Sequence, residues 1–145
     1  MKYMHTNIVA RDWRGLARFY IDVFGCVPVP PERDYSGRWL DRGTGVKNAR
    51  ITGAHLRLPG YGENGPTLEI FQYERNEPKP TAAANREGIA HLAFEVDDVD
   101  HSAAEALRYG GQKVGEVSSH EVAGVGLLTF VYLADPAGNI VELLS

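Results

Sequence analysis

A single cysteine, Cys26, stands in the whole chain, so no intrachain disulfide can form, which agrees with a reducing compartment. No apolar run approaches the length of a membrane span, and no membrane partner is expected. The opening MKYMHTN has a positive residue but neither the apolar core nor the cleavage site of a secretory signal, so a cytoplasmic location is expected. Basic residues are outnumbered: the formal charge is −4 and Lys and Arg are scattered. Nothing there tracks a polyanion, and nucleic acid is not an expected partner. What is present, 43% hydrophobic and 23% charged residues, is the composition of an ordinary globular protein. A chain of 145 residues suffices for a single domain, 1–145, or for two small modules sharing a core.

The chain repeats itself. Residues 89–96, IAHLAFEV, read as a buried strand with His91 among apolar neighbours, and HTNIVARD around His5 is a similar stretch. Asp12 and Gly25 follow His5 at the same two offsets at which Asp98 and Gly111 follow His91. Each half closes on an apolar strand with one central glutamate, TLEIF around Glu69 and NIVELL around Glu142. This predicts an α+β fold: two tandem βαβββ modules, 1–75 and 89–145, joined by a linker at 76–88. Their sheets would form a curled, mixed, mostly antiparallel cleft with a helix on each outer face.

The elements follow from local pattern. A strand over 4–10 would put His5, Asn7 and Val9 on one face. Asp12 is placed to cap a helix whose apolar positions Trp13, Leu16, Ala17, Tyr20, Val23 and Phe24 recur at helical spacing, and Gly25 ends it. Pro28, Pro30 and Pro31 predict that the second strand, starting at 26–29, is short or at an edge. Residues 32–50 read as the least regular segment and a place for a substrate loop, although Trp39 and Leu40 need something to pack against. Strands are expected over 51–58 and 67–73, with a glycine-rich turn between. In the second half a helix starting at Asp98 precedes strands over 112–117, 126–133 and 139–144. His120 and Glu121 fall in a polar turn or strand edge.

Imidazole and carboxylate suit first-row divalent metals, which need several donors converging on one point. A lone strand histidine usually just satisfies a hydrogen bond. A glutamate inside TLEIF or IVELL is harder to dismiss, because an unpaired buried carboxylate is costly. It is the duplicated set of His5, Glu69, His91 and Glu142 that reads as a metal site. His55, Arg57, Arg38 and Arg50 are candidate substrate contacts: His55 for its place on a strand face, the arginines because guanidinium can hold a carboxylate or phosphate in a fork.

With HTNIVARD and FYIDVFG, then TLEIF, HLAFEVDD and FVYLADPAGNIVELL, nearly the whole chain resembles the vicinal oxygen chelate superfamily. That superfamily includes glyoxalase I, methylmalonyl-CoA epimerase, fosfomycin-modifying enzymes, bleomycin-resistance proteins and extradiol dioxygenases. The resemblance implies His5, Glu69, His91 and Glu142 as ligands of one divalent ion, with Ni, Co, Zn, Mn or Fe all chemically reasonable. A fourth ligand at position 69 is similar to glyoxalase I and the epimerase, whereas the fosfomycin enzymes and the dioxygenases use three.

What this implies is a metal-dependent lyase or isomerase that chelates vicinal oxygens of a small carbonyl substrate. An α proton would then move through an enolate or enediolate. The resemblance carries the base to Glu142 or Glu69, with Glu142 taken first and Glu69 as ligand and partner. An iron-dependent extradiol-type dioxygenase and a small-molecule binding or resistance protein are the alternatives. A homodimer is expected from the same family habit.

Overall fold

The computed structural model describes residues 1–145, which divide into two compact units, Met1–Lys79 and Pro80–Ser145. The division falls inside the polar 76–88 stretch. No helix is long and apolar enough to cross a membrane.

The first unit runs β1 (His5–Val9), α1 (Trp13–Phe24), β2 (Val27–Ser36), α2 (Arg38–Thr44), β3 (Arg50–Arg57) and β4 (Thr67–Tyr73). Its sheet has the order β1-β4-β3-β2, with β1 parallel to β4 and the other pairs antiparallel. The Asp12 carboxylate accepts from the Gly15 amide at 3.0 Å, satisfying a free donor at the start of α1. Gly25 takes the left-handed conformation (φ 66°) that ends the helix, as the sequence predicts. Trp13, Leu16, Ala17 and Tyr20 are buried and line the face that packs on β3 and β4. Opposite them Leu56, Leu68 and Ile70 are almost fully enclosed. Each such side chain removed from water contributes roughly 1.5–3 kcal/mol. Strand alternation therefore turns Leu68 and Ile70 toward the helix and Glu69 toward the face the helix leaves open.

Two expectations for this unit need correction. The second strand starts where expected and lies at the sheet edge, as its prolines predict, but it is not short: it runs to Ser36, and its register on β3 shifts between Val29 and Arg33. Pro30 and Pro31, joined by a cis peptide, lie at that shift and have no amide hydrogen to give the ladder. The irregular loop expected over 32–50 is instead the end of β2 followed by α2. Leu40 of α2 is buried with Ala49, Ile51 and Phe71, and Tyr35 and Tyr73 pack against that cluster. Asp41 accepts from the Asn48 and Ala49 amides at 3.0 and 2.8 Å, which fastens the turn after the helix.

The second unit runs β5 (Leu92–Glu95), α3 (Val99–Arg108), β6 (Gln112–Lys113), β7 (Ser118–Val122), β8 (Gly126–Ala134) and β9 (Ile140–Leu144). Its sheet order is β5-β9-β8-β6, with β7 also pairing to β8 and β5 parallel to β9. Asp98 caps α3 by accepting from the His101 amide at 2.9 Å. Here the strand expected over 112–117 stops at Lys113, and His120 and Glu121 lie on a strand rather than in a turn. Together β6 and β7 span the part of the module that the single, shifted β2 spans in the first. The 89–96 strand is also shorter and more open than read: His91 just precedes β5, and Ile89 is exposed. Both units thus have a mixed, open sheet with a helix packed on one face, and in the first unit α2 also packs through Leu40 on Ile51 and Phe71.

Candidate metal-binding residues

Register decides which side chains meet. On β1 and β4, Asn7 faces Glu69 and His5 faces Thr67; on β3, His55 faces Glu69 and Arg57 faces Thr67. Facing residues share a sheet side, so His5, Asn7, His55 and Glu69 all stand on the face opposite α1. There His5 Nε2 lies 3.2 Å from Glu69 Oε2, and His55 Nε2 lies 2.8 Å from Oε1. Asn7 donates to Oε2 at 3.2 Å. The other nitrogen of His55, Nδ1, is 3.1 Å from the Thr67 hydroxyl. The Glu69 side chain is 13% exposed and that of His5 44%, so the carboxylate lies deep and the imidazole at the rim. Burial is the main influence on His55 and pulls its pKa below the ordinary histidine value, against the Glu69 charge; Arg33 and His5 push the same way as burial.

The second unit repeats the pair. Ala93 faces Glu142 across β5 and β9, as Asn7 faces Glu69, and His91 stands two residues earlier, as His5 does. His91 Nε2 lies 3.1 Å from Glu142 Oε2. Across from Glu142 on β8 stands Tyr132, in the place His55 holds in the first unit. Its ring lies tilted against His91 with centroids 5.0 Å apart.

Of the sequence-predicted residues, His5 and Glu69 meet in one unit and His91 and Glu142 in the other. His55 joins the first pair directly. Arg57 is on the same open face by register and is half-buried. Arg50 is turned to the other face, where it holds Asp34 through bonds of 3.2 and 3.1 Å. Arg38 is exposed at the start of α2. Sequence reading missed the His55–Glu69 bond, though a signal existed. Facing pairs in an antiparallel hairpin have residue numbers of constant sum, so closing Arg57 against Thr67 sets His55 against Glu69.

These pairs fit a divalent ion. Ligands about 2.0–2.1 Å from an ion and at right angles are about 3 Å apart. The nitrogen-to-oxygen separations of 3.2 and 3.1 Å match that spacing. No three His, Cys, Asp or Glu side chains of the chain are grouped in a metal-holding arrangement. In the first unit, Glu69 sits between two imidazoles and gives each a different oxygen.

A profile of the glyoxalase-like domain family matches residues 5–144. No curated protein matches the chain. Among solved structures, a glyoxalase family protein from Bacillus cereus is 19% identical, with 99% of this chain and 93% of that one covered and a TM-score of 0.83. A glyoxalase I variant from Zea mays is also 19% identical, covering 98% of this chain and 45% of its own, with a TM-score of 0.66. A glyoxylase/bleomycin resistance protein/dioxygenase domain from Frankia sp. EAN1pec is 17% identical, with 99% and 96% covered and a TM-score of 0.60. At such identities the likeness speaks for the fold. Together with the motifs and the duplicated sheets, the family match settles the assignment: the chain belongs to the glyoxalase-like domain family of the vicinal oxygen chelate superfamily.

Proposed function

We propose that this chain is a divalent-metal-dependent lyase or isomerase that moves a proton next to a carbonyl, with His5, Glu69, His91 and Glu142 as ligands. The observation that carries the reading is the duplicated imidazole–carboxylate pair, each on an open sheet face with its donor atoms at the spacing of adjacent ligands. A full shell needs the pair from each unit, whether within one chain or between two copies. What a bound divalent ion supplies is Lewis-acid polarisation of the substrate's vicinal oxygens.

The two carboxylates divide the remaining work. Glu69 accepts from Asn7 and His55 besides meeting His5, so its orientation is fixed from three sides. Glu142 has His91 alone. A base has to reach the carbon-bound proton, turn with it and deliver it again, and the less restrained carboxylate is better suited to that. Glu142 is therefore assigned as base and Glu69 as the immobile ligand.

The test is metal titration of the purified protein, followed by proton-exchange assays on panels of 2-hydroxy carbonyl, thiohemiacetal and acyl-CoA compounds. Glu142→Gln is expected to lose roughly 10²–10⁴-fold in exchange rate while still binding metal. Full metal loading with no exchange on any panel would overturn the reading. One observation favours a second one: both Glu69 oxygens already have protein partners, which suits a three-ligand shell of His5, His91 and Glu142. Such a shell would serve an iron-dependent dioxygenase, and oxygen uptake with catechols on the Fe²⁺-loaded protein separates the two.

A further inference from the structure

Strand β2 sorts its charges by face. Glu32 and Asp34 point to the α1 side. Arg14 holds Glu32 through bonds of 2.7 and 2.8 Å, and Arg50 holds Asp34. Arg33, between them, points the other way. It stands across from Gly53, on the face that carries His55 and Glu69. Its Nη1 is buried and has no hydrogen-bond partner, and no ion pair of the chain includes it.

A guanidinium N–H hidden from water without an acceptor opposes folding, and native structures rarely keep one without a use for it. The acidic neighbours that could neutralise Arg33 are both committed to the opposite face. The carboxylate on its own face, Glu69, is taken up by His5, Asn7 and His55. Tyr35 is packed against the Leu40 cluster, and Gly53 has no side chain. A Cβ there would stand 2.4 Å from the Phe71 ring, which occupies that space.

We infer that Arg33 is the anion-binding residue of this site, and that the substrate carries an oxyanion, carboxylate or phosphate, toward which the half-buried side chain turns so that Nη1 donates to it beside His55 and Glu69. The inference rests on reading the open face of the first unit as the substrate face. It narrows the proposed substrates to acids: a carbonyl or hydroxyl oxygen for the metal, and a separate negative group for Arg33. Such a group would complete the hydrogen bonding that the folded chain leaves open.

The full chain, with and without added Co²⁺, is titrated with lactate, with lactate methyl ester and with inorganic phosphate, using calorimetry and the His55 imidazole resonances. Lactate or phosphate is expected to bind and the ester not, with the stronger anion identifying the oxyanion class. Arg33→Gln should weaken the anion roughly 10- to 100-fold, and Arg33→Lys less. A second measurement does not depend on binding. In anion-free buffer Arg33→Met should unfold at a higher urea concentration than the wild type, because the buried N–H has been removed. Equal anion affinity in Arg33→Gln, equal binding of the ester, or no saturable binding of either anion overturns the inference. Absence of Co²⁺ binding would instead undo the metal reading, and the anion titration stays readable because Arg33 and His55 belong to one unit.

Discussion

His55 stands directly across the β3–β4 ladder from Glu69, with Nε2 2.8 Å from Oε1. The matching place across from Glu142 holds Tyr132, which lies against His91 instead. The duplication is broken here and at Asn7, whose counterpart is Ala93, and the breaks make two carboxylates of similar sequence context unequal. One is held by neighbours on both sides, and the other meets a single imidazole.

That inequality predicts which substitutions disturb metal binding. His55→Phe keeps a ring beside Phe71 but deletes the bond to Glu69, so the carboxylate is free to turn away from the ligand position proposed for it. Affinity for Co²⁺, followed by its visible absorption, should fall about 10- to 100-fold. Tyr132→Phe removes no bond to Glu142 and should leave affinity close to wild type. Unchanged affinity in His55→Phe would show that Glu69 is oriented by something else.

Much of this was legible in the sequence, and the gaps have physical causes. The α1 helix could be read from the Asp12 cap, the apolar spacing after it and Gly25. The open-face positions of Glu69 and Glu142 followed from alternation in two strongly apolar strands. By contrast β2 is an edge strand, so its outer half, ERDYS, carries almost no burial pattern, and its charges look like those of a loop. Leu40 hinted that something packed there, but only tertiary contact with Ile51 and Phe71 defines α2. Arg33 could not be distinguished from the other arginines. What sets it apart is that its neighbours' ion pairs lie on the other side of the strand.

Cys26 is 2% exposed, and burial raises its thiol to about 12 from 9.0. It is therefore a packing residue rather than a nucleophile, and should resist iodoacetamide near neutral pH until the protein unfolds. The linkage has a definite sign. Between the unfolded and folded values the native state holds a proton that the unfolded chain gives up, so stability falls as pH rises through that window and is unaffected below it. Urea midpoints measured on both sides of the window should show this alkaline decline, and Cys26→Ala should lack that part of it. A native thiol alkylated as fast as a free one would contradict the burial.

Asp135 is fully buried and accepts from the Ala137 amide at 2.9 Å, the Asn139 amide at 2.8 Å and Asn139 Nδ2 at 2.7 Å. These bonds close the turn that feeds β9 and so set where Glu142 falls along the strand. Asp135→Ala strands several donors at once and should cost about 3 kcal/mol in urea unfolding. Asp135→Asn keeps one acceptor and should cost less. Equal losses would mean that side-chain volume matters more than the accepted bonds.

Gly53 offers the most direct test of how the fold supports the first imidazole–carboxylate cluster. A Cβ at this position would lie 2.2 Å from the Ile70 carbonyl oxygen and 2.4 Å from Phe71 Cδ1. The Phe71 ring could swing away, but the carbonyl belongs to the neighbouring strand and can yield only if β3 and β4 part. Those are the strands that hold His55 against Glu69. Gly53→Ala should therefore destabilise the protein by about 1–3 kcal/mol and weaken Co²⁺ binding along with it. Trimming the ring in Gly53→Ala/Phe71→Leu should recover only part of either loss, since the backbone clash remains. Full recovery in the double variant, by urea midpoint and Co²⁺ titration, would place the whole effect in the aromatic ring and none in the spacing of the strands.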